Sequence, residues 1–207
     1  MTTMRIGVIA DTHTPEFLPA LPVGVKHIFQ EVDVILHAGD ITGKEVLDEL
    51  RTLAPVIAVK GDHDALDLPV KTVVEVGGKR IGLVHGRRPR YQEIPSIIVN
   101  EIFTGNHFAW GGFQRQVLRF FQDVDAIVFG HFHHPYLAWH RNVLLFNPGA
   151  VYQLTPERIH MELSGSPSLL RRAYLLNAYR KVPGTPSIGL LTIKDDKIQA
   201  EILPISE

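Results

Sequence analysis

Three short runs of branched apolar residues, MRIGVIA (4–10), VDVILH (32–37) and PVIAVK (55–60), restrict the folds open to this chain. Runs of this length and β-branched content read as strands buried on both faces. Helical patterns lie between them, near 20–30 and 43–53, and the second (GKEVLDELRTLA) is clearly amphipathic. A strand–helix–strand–helix–strand start implies parallel strands joined by crossover helices. Two further runs, RIGLV (80–84) and VDAIVF (124–129), read as strands of the same kind. After residue 70 hairpins take over: TVVEVGGKRIGLV turns at a Gly-Gly pair, and YLAWHRNVLLF and SIGLLTIKDDKIQAEILPI are two more. The expectation is one α/β domain over 1–207, with two packed mixed β-sheets and helices outside.

Two segments fit this plan poorly. Residues 87–123 are helical in pattern and rich in aromatics (Tyr91, Phe103, Phe108, Trp110, Phe113, Phe120 and Phe121). Residues 154–186 include SLLRRAYLLNAY, a helix in pattern over 169–179 that is closed by Pro183 and Pro186. Both read as excursions from the sheet core. The first leaves the strand that ends at His85 and would act as a lid, although packing of its own helices is the better account of its aromatics.

The strand ends carry the chemistry. Run by run, they finish in Asp11 and His13, in Gly39-Asp40, in Gly61, Asp62 and His63, in His85-Gly86, and in Gly130, His131 and His133. The carboxyl ends of strands in open α/β sheets are where ligands bind. Three carboxylates and four imidazoles, His63 aside, are too many for one closed tetrahedral site but suit two metals sharing a bridging carboxylate. With no cysteine in the chain, thiolate ligation and disulfides are excluded, and the ions fall among Mn, Fe, Zn, Ni and Co. The net charge of −1 argues against an extended nucleic acid or an anionic membrane as partner. A strand entered by Met4 and the lack of a bilayer-length apolar run make a cytoplasmic protein the expectation.

The blocks Asp11-x-His13, Gly39-Asp40, Gly61-Asp62-His63-Asp64, His85-Gly86 and Gly130-His131-x-His133, with NPGA at 147–150 behind them, follow in one order. That order resembles the calcineurin-like metallophosphoesterases, and among them the small bacterial and archaeal phosphodiesterases. The resemblance covers roughly 1–153 and the closing hairpin, and implies a four-layer αββα sandwich. It also implies a site of two divalent ions, Mn first among them. Asp11, His13 and His133 would hold one ion, Asp62, His85 and His131 the other, and Asp40 would bridge. Hydrolysis of a phosphate ester, most readily a diester, would follow by attack of a metal-bridging hydroxide, with His63 protonating the leaving oxygen.

The implied substrate is a small phosphate ester, a nucleotide being one candidate, and assembly is open between monomer and homo-oligomer. Two other functions stay open. One is a nuclease; the other is a non-catalytic scaffold, as in a retromer subunit of the same fold that lacks full metal ligation. Arg87 and Arg88 follow a ligand strand and would either clamp substrate phosphate or form a solvated turn. His37 would orient a ligand or be a satisfied core histidine, while His134 and His140 match no motif. Where this chain has Asp62 the family pattern has Asn. The extra carboxylate should tighten the second ion and weaken attraction for phosphate, unless a cation such as Arg87 offsets it.

Overall fold

The computed structural model describes residues 3–87, 91, 112–169, 172, 175–176 and 184–205. Arg88, most of the 87–123 segment with its expected lid role, and most of the 169–179 helix lie outside the described residues. Within them the order is β1 (Met4–Ile9), α1 (Val23–Ile28), β2 (Val34–His37), α2 (Lys44–Arg51), β3 (Val56–Ala58), β4 (Lys71–Val76), β5 (Lys79–Val84), α3 (Phe113–Leu118), β6 (Ala126–Val128), β7 (Pro135–His140), β8 (Val143–Pro148), α4 (Pro156–Ser164), β9 (Ser187–Lys194) and β10 (Lys197–Pro204). A short 3₁₀ turn, Phe29–Glu31, follows α1.

The strands form two five-stranded sheets, ordered β10-β9-β1-β2-β3 and β4-β5-β6-β8-β7. Each has a parallel centre (β1/β2/β3 and β5/β6/β8) flanked by antiparallel hairpin strands. Alternation along the central strands builds the layers. Ile6, Val8, Leu36, Ile81, Leu83, Val128, Leu144 and Phe146 point between the sheets and make one core. Ile9, Ile35 and Ile188 point the other way and pack under Val25, Phe29, Val46, Leu47 and Leu50 of the first helical face. On the outside of the second sheet, Val84, Ile127, Phe129 and Leu145 pack against Phe113, Val117 and Phe121. The result is a four-layer αββα sandwich. Phe113 of α3 and Phe121 beyond its end thus belong to the outer core of the second sheet.

Local chemistry fixes the boundaries. At α2, Val46, Leu47 and Leu50 share the buried stripe. Thr155 caps α4 by accepting the Arg158 N–H, with Pro156 at the first helical position. Strands β2 and β6 begin two residues later than the apolar runs suggest. In each case the leading Val-Asp pair docks on the neighbouring strand through the aspartate. Asp33 Oδ2 accepts the Arg5 N–H at 2.7 Å, and Asp125 Oδ2 accepts the Arg80 N–H at 2.9 Å. No helix among the described residues is long and apolar enough to cross a membrane.

Candidate metal centre

The carboxyl ends of β1, β2, β3, β5 and β6 converge at one edge of the sandwich, and all seven expected ligands meet there. Asp11, His13 and His133 offer ligand atoms within 4.8 Å of one another, and so do Asp62, His85 and His131. A third overlapping group, Asp11, Asp40 and His85, joins the two. Asp40 Oδ2 lies 3.6 Å from His13 Nε2 and 3.3 Å from His85 Nε2, one imidazole from each set. Its other oxygen, Oδ1, accepts the His63 N–H at 2.9 Å and is taken up in holding the loop.

The backbone is bent to make this convergence. Asp11, His13, Asp40, His131 and His133 all have left-handed φ, between 47° and 73°. For non-glycine residues this conformation is uncommon and costs about 1 kcal/mol or more each. Gly61 shows how close the strand ends approach: a Cβ there would land on the Asp40 amide nitrogen and Oδ1. Asp64, buried two residues after Asp62, holds the bend together. Its carboxylate accepts the N–H groups of Asp40, Ile41, Thr42 and Gly61 at 2.7–3.1 Å.

The imidazoles are set by backbone carbonyls. His85 Nδ1 donates to Ala38 O at 2.8 Å, and His133 Nδ1 donates to Tyr152 O at 3.1 Å. A carbonyl only accepts, so each ring keeps its proton on Nδ1 and presents Nε2 to the centre. Among the described residues, His85 Nε2 is buried with no hydrogen-bond partner, even though Asp40 Oδ2 is near. A buried nitrogen without a partner, aimed at a shared carboxylate oxygen, is what a ligand position looks like before its ion. The donor set of carboxylates and imidazoles fits a divalent ion of the Mn, Fe or Zn kind. His37 has the satisfied-core role instead. Its Nδ1 accepts the Gly39 N–H, its Nε2 meets Thr12 Oγ1 at 3.2 Å, and burial lowers it to about 4. His134 and His140 bond to His133 O and to the Tyr136 hydroxyl, outside the ligand groups.

Electrostatics in this cluster are strongly coupled. Burial pushes Asp11 up to about 8, with the Asp40 charge adding to the effect. Burial also opposes the charged form of His85, but Asp40 and Asp11 outweigh it and lift His85 to about 9. Asp40 is held well below the usual carboxylate range: burial would raise it, and His85, the His63 N–H and His13 overcome that. Burial, then His13, lowers His133 to about 3. From pH 7 to 9 the raised groups, Asp11 and His85, govern linkage. Folded metal-free protein then binds more protons than unfolded chain, so its stability falls as pH rises through that window. The Tm of metal-free protein is therefore expected to drop between pH 7 and 9. With Mn²⁺ present the drop should vanish, because an ion replaces those protons. A flat metal-free profile would contradict the coupling.

Two expected residues take charged partners, one of which, Glu16, the sequence did not disclose. The Arg87 guanidinium pairs with Asp62 Oδ1 at 2.9 Å, while Asp62 Oδ2 lies 3.4 Å from His131 Nδ1. Arg87 thus pairs with the carboxylate that stands in the family's Asn position, and its guanidinium is not wholly free for phosphate. The His63 ring lies 4.8 Å from the His13 ring, centroid to centroid, and its Nδ1 contacts Glu16 Oε2 at 3.0 Å. Glu16 and Asp64 went unassigned in the sequence. The available signals were the repeated aspartate of GDHD and an acidic residue three positions after His13.

The model of the calcineurin-like phosphoesterase superfamily domain matches residues 4–163. A probable metallophosphoesterase of Methanocaldococcus jannaschii is 33% identical over 99% of this chain and 83% of its own length. Among solved structures, vacuolar protein sorting 29 from Cryptosporidium parvum superposes with a TM-score of 0.63 at 21% identity, covering 100% of both chains. The Entamoeba histolytica protein of that name, complexed with zinc, gives 0.57 at 25% identity over 97% of this chain and 99% of that one. With the strand-end site and a family match across most of its length, the chain belongs to the calcineurin-like phosphoesterase superfamily.

Proposed function

We propose that this protein is a binuclear metal-dependent phosphodiesterase. The carrying observation is Asp40 Oδ2, placed between His13 Nε2 and His85 Nε2 with a three-residue ligand set on either side. Asp11, His13 and His133 would hold one divalent ion and Asp62, His85 and His131 the other, with Asp40 shared. When bound, such ions lower the pKa of water and neutralise charge on the phosphoryl oxygens. The chain supplies the rest. His63 donates the proton that the leaving oxygen needs as the P–O bond breaks. Burial of Asp11, His13, Asp40 and His85 keeps bulk water from screening the charges.

Preference for a diester rests on room for two alcohol groups. A cleft of about 470 Å³ opens beside Asp62 and His85, lined by Lys60, Lys71, Arg87, Val70 and Phe120. His63 is not among its lining residues; one ester arm would lie in the cleft and the other would leave past His63. The test is hydrolysis of p-nitrophenyl phosphodiester and monoester by the full chain with Mn²⁺, Ni²⁺, Co²⁺, Zn²⁺ and Mg²⁺. The diester should be the better substrate with at least one of these ions; a monoester preference with all of them would overturn the diester assignment.

The scaffold alternative draws on the fold shared with vacuolar protein sorting 29. Because a protein of that name was obtained with zinc bound, metal binding does not separate the two functions, and only turnover does.

The Asp62–Arg87 pair yields a second expected result. Asp62→Asn removes one negative charge and leaves Arg87 uncompensated, so inorganic phosphate should inhibit several-fold more tightly, and half-maximal activity should need more metal. Arg87→Met should weaken phosphate inhibition by a similar factor, and the double variant should return close to wild type. A double variant that phosphate inhibits as tightly as Asp62→Asn alone would show that the tightening does not come from the released Arg87.

A further inference from the structure

Glu16 stands where the chain doubles back after the first ligand pair. The N–H groups of Phe17 and Leu18 both donate to His13 O, at 2.7 and 3.2 Å, and Leu18 is anchored in the core. That turn brings the Glu16 carboxylate over two imidazoles together. Both of its oxygens lie within hydrogen-bond distance of His63 Nδ1, at 3.2 and 3.0 Å. Oε2 is also 3.8 Å from His13 Nδ1, which is buried and has no hydrogen-bond partner among the described residues. His13 Nε2 faces His133 Nε2 at 3.3 Å and Asp40 at 3.6 Å, so Nε2 is the ligand atom and Nδ1 must carry the ring proton when an ion is bound. Ligating imidazoles nearly always donate that second N–H to a carboxylate or carbonyl. His85 and His133 have their carbonyls; among the described residues the carboxylate beside His13 Nδ1 is that of Glu16, at 3.8 Å.

We propose that Glu16 is a positioning residue shared by the first metal site and the general acid. Its Oε2, 3.8 Å from His13 Nδ1, would close to a hydrogen bond with that N–H when an ion fixes Nε2, orienting the ring and raising its basicity as a ligand. It also accepts Nδ1–H from His63, which leaves Nε2 as the nitrogen that gives its proton to the leaving oxygen. The proposal rests on the proposed roles of His13 and His63. Glu16 is itself neither ligand nor acid, and since its side chain is 40% exposed its replacement should leave folding intact.

The test pairs a binding readout with a leaving-group readout. Titration of metal-free Glu16→Ala with Mn²⁺ against a competing chelator should show one ion held 10- to 100-fold more weakly than in wild type. At saturating Mn²⁺, kcat on a dialkyl phosphate should fall at least tenfold while kcat on a p-nitrophenyl diester is nearly spared. Glu16→Gln has one oxygen to offer two rings and should fall between. In a His63→Ala background, adding Glu16→Ala should cost nothing more on the dialkyl ester. A titration that superimposes on wild type, or a Glu16→Ala loss that persists in full without His63, overturns the proposal. His63→Ala alone separates the two levels. If it harms both ester types equally, His63 is not the acid and this proposal falls with that role; if it is selective and Glu16→Ala is not, Glu16 alone is excluded.

Discussion

Asp40→Asn is expected to lower turnover of a p-nitrophenyl diester by about a thousandfold or more, with both ions bound more weakly. The neutral amide presents a poorer ligand atom, and here that atom is shared: Asp40 Oδ2 is the oxygen near an imidazole of each set. Losing part of the hold on two ions removes several kcal/mol of transition-state charge stabilisation, and about 1.4 kcal/mol is a factor of ten in rate. The variant should still fold, because Asn can keep the oxygen that accepts the His63 N–H. Kinetics at saturating Mn²⁺, with circular dichroism to verify folding, measure the effect. Activity within tenfold of wild type would mean that Asp40 does not bridge.

His63→Ala is expected to act through the leaving group. Positioned proton donation contributes about 10²–10⁴ in rate, and only where the departing oxygen needs a proton. A dialkyl phosphate should therefore lose roughly that factor, while p-nitrophenolate, which leaves readily as an anion, should lose about tenfold at most. The ring is half-exposed and its structural bond is the backbone N–H to Asp40, which the substitution keeps. Equal losses on the two esters, measured as kcat at saturating metal, would remove the ring from the acid role.

The central strands were legible because both of their faces are buried. Continuous runs such as MRIGVIA and VDVILH then announce themselves without any alternation. The ligand blocks were legible for a related reason: each follows one of those runs, and strand direction puts all of them at one edge. Short-range pattern could not show how the chain bends there. Five of the proposed ligands lie in left-handed backbone held by tertiary contacts, Asp64 gathering four N–H groups from two loops. The two leading Val-Asp pairs misled the strand starts, because Asp33 and Asp125 reach residues 28 and 45 positions away. Arg87 on Asp62 and Glu16 beside His63 are likewise pairings across 25 and 47 positions, for which no local rule exists.

The most direct measurement follows bound ions and catalysis in one experiment. Metal-free chain is titrated with Mn²⁺, and ions bound per chain and p-nitrophenyl diester hydrolysis are read at each point. The account predicts saturation at two ions per chain, with hydrolysis rising chiefly as the second is taken up. Full activity at one ion per chain, or two bound ions with no hydrolysis of the diester, would contradict it.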